Sequence, residues 1–329
     1  MPKKDHKRLT EKDLKSSSEL LPTLFHPPLP SPSQNGEPTA QKALTPEEEA
    51  RHILYQHSVL CQTCIPYRNP GDVPLWHRKN GMVQLELQAG RVLDPHTDEI
   101  VTVGLPFGPK PRLVLYHLNA EAMRTQSPIL TLEDSLTAFV KRTLKLDVGG
   151  RTIRSVKEQL NRLSAADFRF YASYQDHAVT VKGSVIEGLD LWVSKDERQR
   201  VLWPSVVQFS QRYFESLLTH AVPLNESAVS RLSHSAMGLD IYTWLAQRLH
   251  RVEPGKPILV PWSAVKEQFG QGYDRMDNFR RVFQTTLKQV AAVYKEARFK
   301  VEREGMRLSH SPPPVLKRYV RGMEIPNRV

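Results

Sequence analysis

The sequence predicts an α+β fold, mainly helical, built from two tandem winged helix-turn-helix domains related by an internal pseudo-repeat. Three observations predict it. Short blocks recur in the same order at offsets of 126 to 129 residues. By hydrophobic spacing, each copy runs long helix, short helix, turn and amphipathic helix. Each copy then ends in two alternating runs around a polar turn, the pattern of a β-hairpin.

The elements follow in order. Residues 1–44 begin with Lys3, Lys4, Lys7, Arg8, Lys12 and Lys15 and continue with Pro22, Pro27, Pro28, Pro30, Pro32 and Pro38. Proline fixes φ and removes a backbone donor, so this stretch is expected to be a disordered basic, proline-rich tail. Thr45-Pro46-Glu47-Glu48-Glu49 is a helix start: a capping hydroxyl, proline in the first turn, then acids against the positive dipole end. That helix is expected to carry Ile53, Leu54, His57, Leu60, Cys61 and Cys64 on one face. Val83, Leu85 and Leu87 alternate as a strand, and Ile100 to Val103 is expected to pair with it. Between them Asp94, His96, Asp98 and Glu99 read as a polar turn.

The repeat begins with Leu113-x-Leu115-Tyr116-x-Leu118-x-Ala120, which returns as Leu239-x-Ile241-Tyr242-x-Trp244-x-Ala246. Pro128-Ile129-Leu130 returns as Pro257-Ile258-Leu259, and Ser135 and Ser263 open short helices. Val156, Leu160 and Leu163 match Phe283, Leu287 and Val290, and Arg169-Phe170 matches Arg298-Phe299. Helices are expected at about 109–125, 133–144 and 150–164, and again at about 235–250, 262–269 and 275–294. Phe168 to Tyr174 and Ala178 to Ile186 form the first hairpin, around Gln175-Asp176-His177. Ala297 to Val301 and Met306 to Leu308 form the second, around Glu304-Gly305. The expected organisation is a tail at 1–44, a first winged-helix domain at 45–200 with the preceding helix and hairpin, a second at 201–315, and a basic tail at 316–329.

Charge narrows the function. The net charge is +11, and residues 275–329 alone hold 13 basic and 5 acidic side chains. Such polarisation favours a polyanionic partner, because basic surface gains by neutralising phosphates and releasing their counterions. No apolar run approaches the length that spans a bilayer and no secretory segment follows the polar start, so a cytoplasmic protein with no membrane partner is expected. No phosphate-cradling G-x-x-x-x-G-K-[ST] loop, G-x-G-x-x-G or G-x-S-x-G occurs, and the histidines include no pair two residues apart. Neither an enzyme nor a bound cofactor is expected, and no residue is assigned a catalytic role.

The candidate DNA-binding residues lie on the third helix of each copy and on the second hairpin. Arg151, Arg154 and Lys157, with Arg162, lie opposite Ile153, Val156, Leu160 and Leu163. In the second copy Phe279, Val282, Phe283, Leu287, Val290 and Val293 form the buried stripe, while Asp277, Asn278, Arg281, Gln284, Thr285 and Lys288 face away. Arginine, asparagine and glutamine match base edges bidentately, and the first turns of a reader helix reach deepest into the groove. Arg275, Asn278 and Arg281 are therefore the candidates for base contact. Thr285 and Lys288 follow on the same face, and Arg298, Lys300, Arg303 and Arg307 decorate the hairpin beside it.

Cys61-x-x-Cys64, with His57 and His77, could supply four ligands to zinc. Yet His57, Cys61 and Cys64 share the face of Ile53 and Leu54, where cysteine packs as a small apolar residue. No second CxxC exists, and no metal is expected.

Several motifs then carry a family resemblance: His57-Ser-Val-Leu-Cys-Gln62, Gly104-Leu-Pro-Phe-Gly-Pro-Lys-Pro-Arg112, Glu133-Asp-Ser-Leu-Thr-Ala-Phe139 and Asp190-Leu-Trp192. Leu239-Asp-Ile-Tyr-Thr-Trp-Leu-Ala246, Val260-Pro-Trp262, Gln268-Phe-Gly270 and Ser311-Pro-Pro313 complete the set. Over about residues 45–315 the chain resembles the plasmid-encoded RepA-type replication initiators of bacteria. The resemblance implies two winged-helix domains that bind direct repeats (iterons) of double-stranded DNA at the plasmid origin and help open the duplex. It further implies a monomer–dimer equilibrium with repression of the protein's own promoter, and recruitment of the host replication initiator and replicative helicase. A plain winged-helix transcriptional repressor is the alternative that the same helices would serve.

Overall fold

Two long, largely buried helices carry the architecture, and the smaller elements are arranged on them. The protein is described as a computed structural model over residues 52–94, 97–173, 178–189 and 206–315. The tails expected at 1–44 and 316–329, the helix start at Thr45, the turn at Gln175 to His177 and the motif at Asp190 to Trp192 lie outside these residues. All described residues fall within one compact unit, Leu44–Val329.

Strand β1 (Ile53–His57) runs directly into helix α1 (Ser58–Gln62). This corrects the helix expected from Thr45 through Cys64: residues 53–57 are extended and pair antiparallel with 221–225. All five residues of β1 are buried. A strand covered on both sides, with Gln56 and His57 as buried as Ile53 and Leu54, shows no alternation of buried and exposed positions, so helical and strand spacing cannot be told apart within it.

Strands β2 (Leu75–Asn80) and β3 (Val83–Gln88) form a tight hairpin with Gly81 at φ 57°. The expected pairing of the Val83 run with Ile100 to Val103 is not made. Ile100 sits in β5 (Glu99–Thr102), which pairs with β4 (Arg91–Asp94), placing Asp94 opposite Glu99. The Asn80-Gly81 turn brings β2 to β3 over a shorter loop, at less closure entropy.

Helix α2 (Pro109–Thr125) is followed by β6 (Ile129–Thr131) and α3 (Leu136–Ala138), which Ser135 caps and a π-helical turn at Phe139–Thr143 extends. Helix α4 (Gly150–Ala165) leads to β7 (Asp167–Ser173), β8 (Ala178–Ser184) and β9 (Ile186–Leu189). Next come β10 (Val206–Phe209), α5 (Gln211–His220), β11 (Ala221–Asn225) and α6 (Glu226–Leu232). The described residues close with α7 (Ala236–Arg248), β12 (Ile258–Pro261), α8 (Trp262–Phe269), α9 (Met276–Val293), β13 (Phe299–Val301) and β14 (Gly305–Leu308). The fold is a mixed α+β one.

Sheet order separates the two halves. The strands order as β6-β10-β9, β12-β14-β13 and β2-β3-β7-β8. The hairpin expected as the first wing is thus absorbed elsewhere: β7 pairs with β3 from Asp167 to Ala172 as well as with β8. Phe168 is fully buried there and Phe170 stacks on His57 at 5.9 Å. Arg169-Phe170 therefore does not occupy the place of Arg298-Phe299. Strand β10, which follows residue 200, completes a sheet with β6 and β9. The matched Pro-Ile-Leu blocks also differ in phase, for Leu130 is buried while Leu259 is exposed. A one-residue slip in a strand turns every side chain to the other face.

The long helices α2 and α7 are joined by a buried ion pair. Arg112 Nε and Nη2 each donate to Asp240 at 2.7 Å, and the same guanidinium donates to the carbonyls of Gly108 (2.7 Å) and Ile65 (2.8 Å). Burial pushes the Arg112 pKa down, but the Asp240 carboxylate outweighs it and the net shift is upward. Around α7, Trp244 meets Phe269 edge-on at 5.3 Å, and Phe269 and Phe279 each lie 5.5 Å from Phe283. These rings seat α8 and α9.

Candidate nucleic-acid interface

Helix α9 buries Phe279, Phe283, Leu287 and Val290, with Val282 and Val293 half-buried at the margins. Amphipathic spacing dictates the rest. Asn278, Arg281, Thr285 and Lys288 are exposed on the other side, and Gln284 is half-buried between them. Arg281 Nη2 donates to Asn278 Oδ1 at 2.9 Å, so the two candidate base-contacting side chains, three residues apart, meet at one spot. Thr285 turns its hydroxyl inward, donating to the Arg281 carbonyl at 2.9 Å. Lys288 makes no ion pair among the described residues.

Arg275 is differently placed. It stands at the N-cap of α9, and its Nη2 lies 2.6 Å from Asp277 Oδ2, with Nε at 3.1 Å from Oδ1. The guanidinium holds the Asp277 carboxyl below the usual carboxylate range. Asp277 also complements the positive end of the helix. Arg275 therefore offers a balanced charge where Arg281 offers a net one.

On the hairpin after α9, Arg298, Lys300 and Arg303 are exposed. Arg307 is held across the hairpin by Glu302, at 2.8 and 2.9 Å, and pulls that carboxyl below its ordinary range. Sequence reasoning missed two residues at this place. Arg280 lies over the Trp262 ring at 4.7 Å and donates to the Arg303 carbonyl at 3.0 Å. No local spacing signals the contact, because Trp262 belongs to α8.

Helix α4 buries Val156, Leu160 and Leu163, leaving Arg151 and Arg154 exposed and Lys157 half-buried. None of these three cations makes an ion pair among the described residues. Arg162 does not join them: it lies 2.9 Å from Glu158, donates to the Leu105 carbonyl at 3.2 Å and covers the Phe107 ring.

Cys61 and Cys64 are core residues, and burial pushes both thiols up. Tyr67 donates to Cys64 Sγ at 3.5 Å. His57 bonds Ser216 at 2.9 Å and His77 bonds Gln84 at 2.9 Å, so each imidazole already has another partner. Among the described residues no group of three or more His, Cys, Asp and Glu could hold a metal ion, and no helix is long and apolar enough to cross a membrane.

Among curated proteins, none matches the chain. Two crystal structures of domains 2 and 3 of RctB, one from selenomethionine derivatives, are similar at 10% and 12% identity with TM-scores of 0.46 and 0.45. They cover 74% and 70% of this chain, and 86% and 82% of the RctB chains. A family model described as plasmid encoded RepA protein matches residues 105–262, from just before α2 to the first residue of α8. The motifs Gly104 to Arg112, Glu133 to Phe139 and Leu239 to Ala246 fall on or within that stretch. Over residues 105–262 the chain is similar to the family of plasmid encoded RepA proteins.

Proposed function

We propose that the chain is a plasmid replication initiator that binds repeated duplex DNA at its origin through two winged-helix modules. The first module lies within 45–200 and is completed by β10, and the second lies within 201–315. The observation that carries this reading is the exposed face of α9, where Asn278 and Arg281 meet beside a surface hairpin bearing Lys300 and Arg303. An amide and a guanidinium on the first turns of a helix can address base edges in a major groove, while hairpin cations lie along phosphates. Arg151, Arg154 and Lys157 of α4 supply a second cationic helix. With α2 and α7 locked by Arg112 and Asp240, the two helices could enter successive major grooves about 34 Å apart.

On this reading Arg275, Asn278, Arg281, Thr285 and Lys288 line the groove, and Arg298, Lys300, Arg303 and Arg307 follow the backbone. The protein acts without catalysis or cofactor in the cytoplasm. It opens the duplex, recruits the host initiator and helicase, and as a dimer represses its own promoter. Footprinting the full chain on the origin region of its own plasmid tests the proposal. Protection of direct repeats is expected. Protection confined to a promoter operator, with no support of plasmid maintenance in trans, would favour the plain repressor, and no protection at all would end both readings.

A further inference from the structure

The turn between β13 and β14 is held more firmly than an exposed hairpin turn ordinarily is. Such turns usually leave their carbonyls to water and move accordingly. Here three successive carbonyls are taken by the protein. The Trp262 indole N–H donates to Glu302 O at 3.1 Å, Arg280 donates to Arg303 O at 3.0 Å, and the Trp262 backbone N–H donates to Glu304 O at 3.0 Å. Glu302 N–H closes the turn onto Gly305 O at 2.8 Å. Gly305 allows the close approach, since a Cβ there would fall 2.1 Å from the Val260 carbonyl oxygen. Trp262 is buried and Arg280 is half-buried against it, whereas the Arg303 side chain stands exposed.

We propose that Arg280 is a positioning residue: stacked on Trp262, it pins the turn to α9, so that Arg303 is presented to a backbone phosphate of the duplex whose groove receives α9. The proposal rests on the DNA-binding reading above. Its logic lies in the guanidinium plane. Arginine can lie flat on an indole and still donate in-plane to a carbonyl, whereas a lysine ammonium cannot do both. Arg280 thus sets the angle between helix and hairpin while its neighbour Arg281 faces the groove.

The test compares Arg280→Met, Arg280→Lys, Arg303→Ala and the double variant Arg280→Met/Arg303→Ala in the full chain, titrated against origin DNA over a salt series. Methionine keeps the packing on Trp262 and removes the hydrogen bond. Each single variant is expected to weaken binding by about 10-fold, with a salt slope smaller by about one, and the double variant is expected to lose no more than either single one. Wild-type affinity for Arg280→Lys, or a double-variant loss equal to the product of the single losses, would make Arg280 a direct phosphate contact and overturn the proposal. Hydrogen exchange without DNA separates the two levels. Faster exchange at the Glu302 amide and the Trp262 indole in Arg280→Met supports the strut even if no duplex is bound. Unchanged protection overturns the strut whatever the DNA result.

Discussion

The two halves of the described chain share a run of elements and then diverge. In each, a long helix is followed by a short strand, a short helix and an amphipathic helix. After α4 the chain enters β7 and β8, which join β2 and β3 in a four-stranded sheet. After α9 it passes directly into β13 and β14, whose turn stays at the surface. The exposed faces differ as well. Helix α4 offers Arg151, Arg154 and Lys157, with the half-buried amide of Asn161 on their side of the helix but bonded to none of them, whereas α9 offers an exposed Asn278 and Arg281 in contact. Cations alone neutralise phosphate, and an amide beside a guanidinium can distinguish base pairs. On the DNA-binding reading proposed above, the second half would read sequence and the first would grip phosphate.

Breaking the junction between the halves should have the largest effect. Asp240→Ala leaves the Arg112 guanidinium buried and uncompensated, and is expected to destabilise the chain by about 3–5 kcal/mol. Urea unfolding followed by fluorescence and by far-ultraviolet dichroism checks this. One coincident, shifted transition is expected, and two separate transitions with only one of them moved would show that the halves stand independently.

Arg281→Ala comes next. It should cost about 1–3 kcal/mol on the specific duplex and little on random DNA, as measured by competition titration. Equal losses on both would turn Arg281 into a phosphate contact and erase the distinction between the halves. Arg154→Ala and Lys300→Ala should each weaken binding to every sequence by about 1 kcal/mol near 0.1 M salt, with a flatter salt dependence. A sequence-selective loss from Arg154→Ala would instead place base reading on α4. The smallest effect is expected at Arg275→Gln, within about 0.5 kcal/mol, because Asp277 already balances that charge.

How far the sequence reveals this molecule depends on the range of the interactions involved. Helices α4, α8 and α9 were legible because each carries its own apolar stripe, which local spacing displays. Strand β1 was not, since burial of Ile53, Leu54, Tyr55, Gln56 and His57 leaves no alternation to read. The β2–β3 hairpin had a local signal in Asn80-Gly81 that the alternation of Val83, Leu85 and Leu87 overshadowed. The partner of β7 was invisible, because its ladder to β3 spans most of the first half. At the candidate interface the exposed cations of α9 were legible from helical phase. The pairings that balance Arg275 and Arg307 depend on side-chain geometry, and the Arg280–Trp262 contact joins two helices, so neither could be read along the chain.

Methylation interference on the origin repeats tests the central claim most directly. Guanine N7 lies in the major groove and adenine N3 in the minor groove. N7-methylation within each repeat is expected to block binding of the wild-type chain, and Arg281→Ala is expected to become indifferent to one of those guanines. Interference from adenine N3 alone, or an unchanged guanine pattern in Arg281→Ala, would contradict that claim.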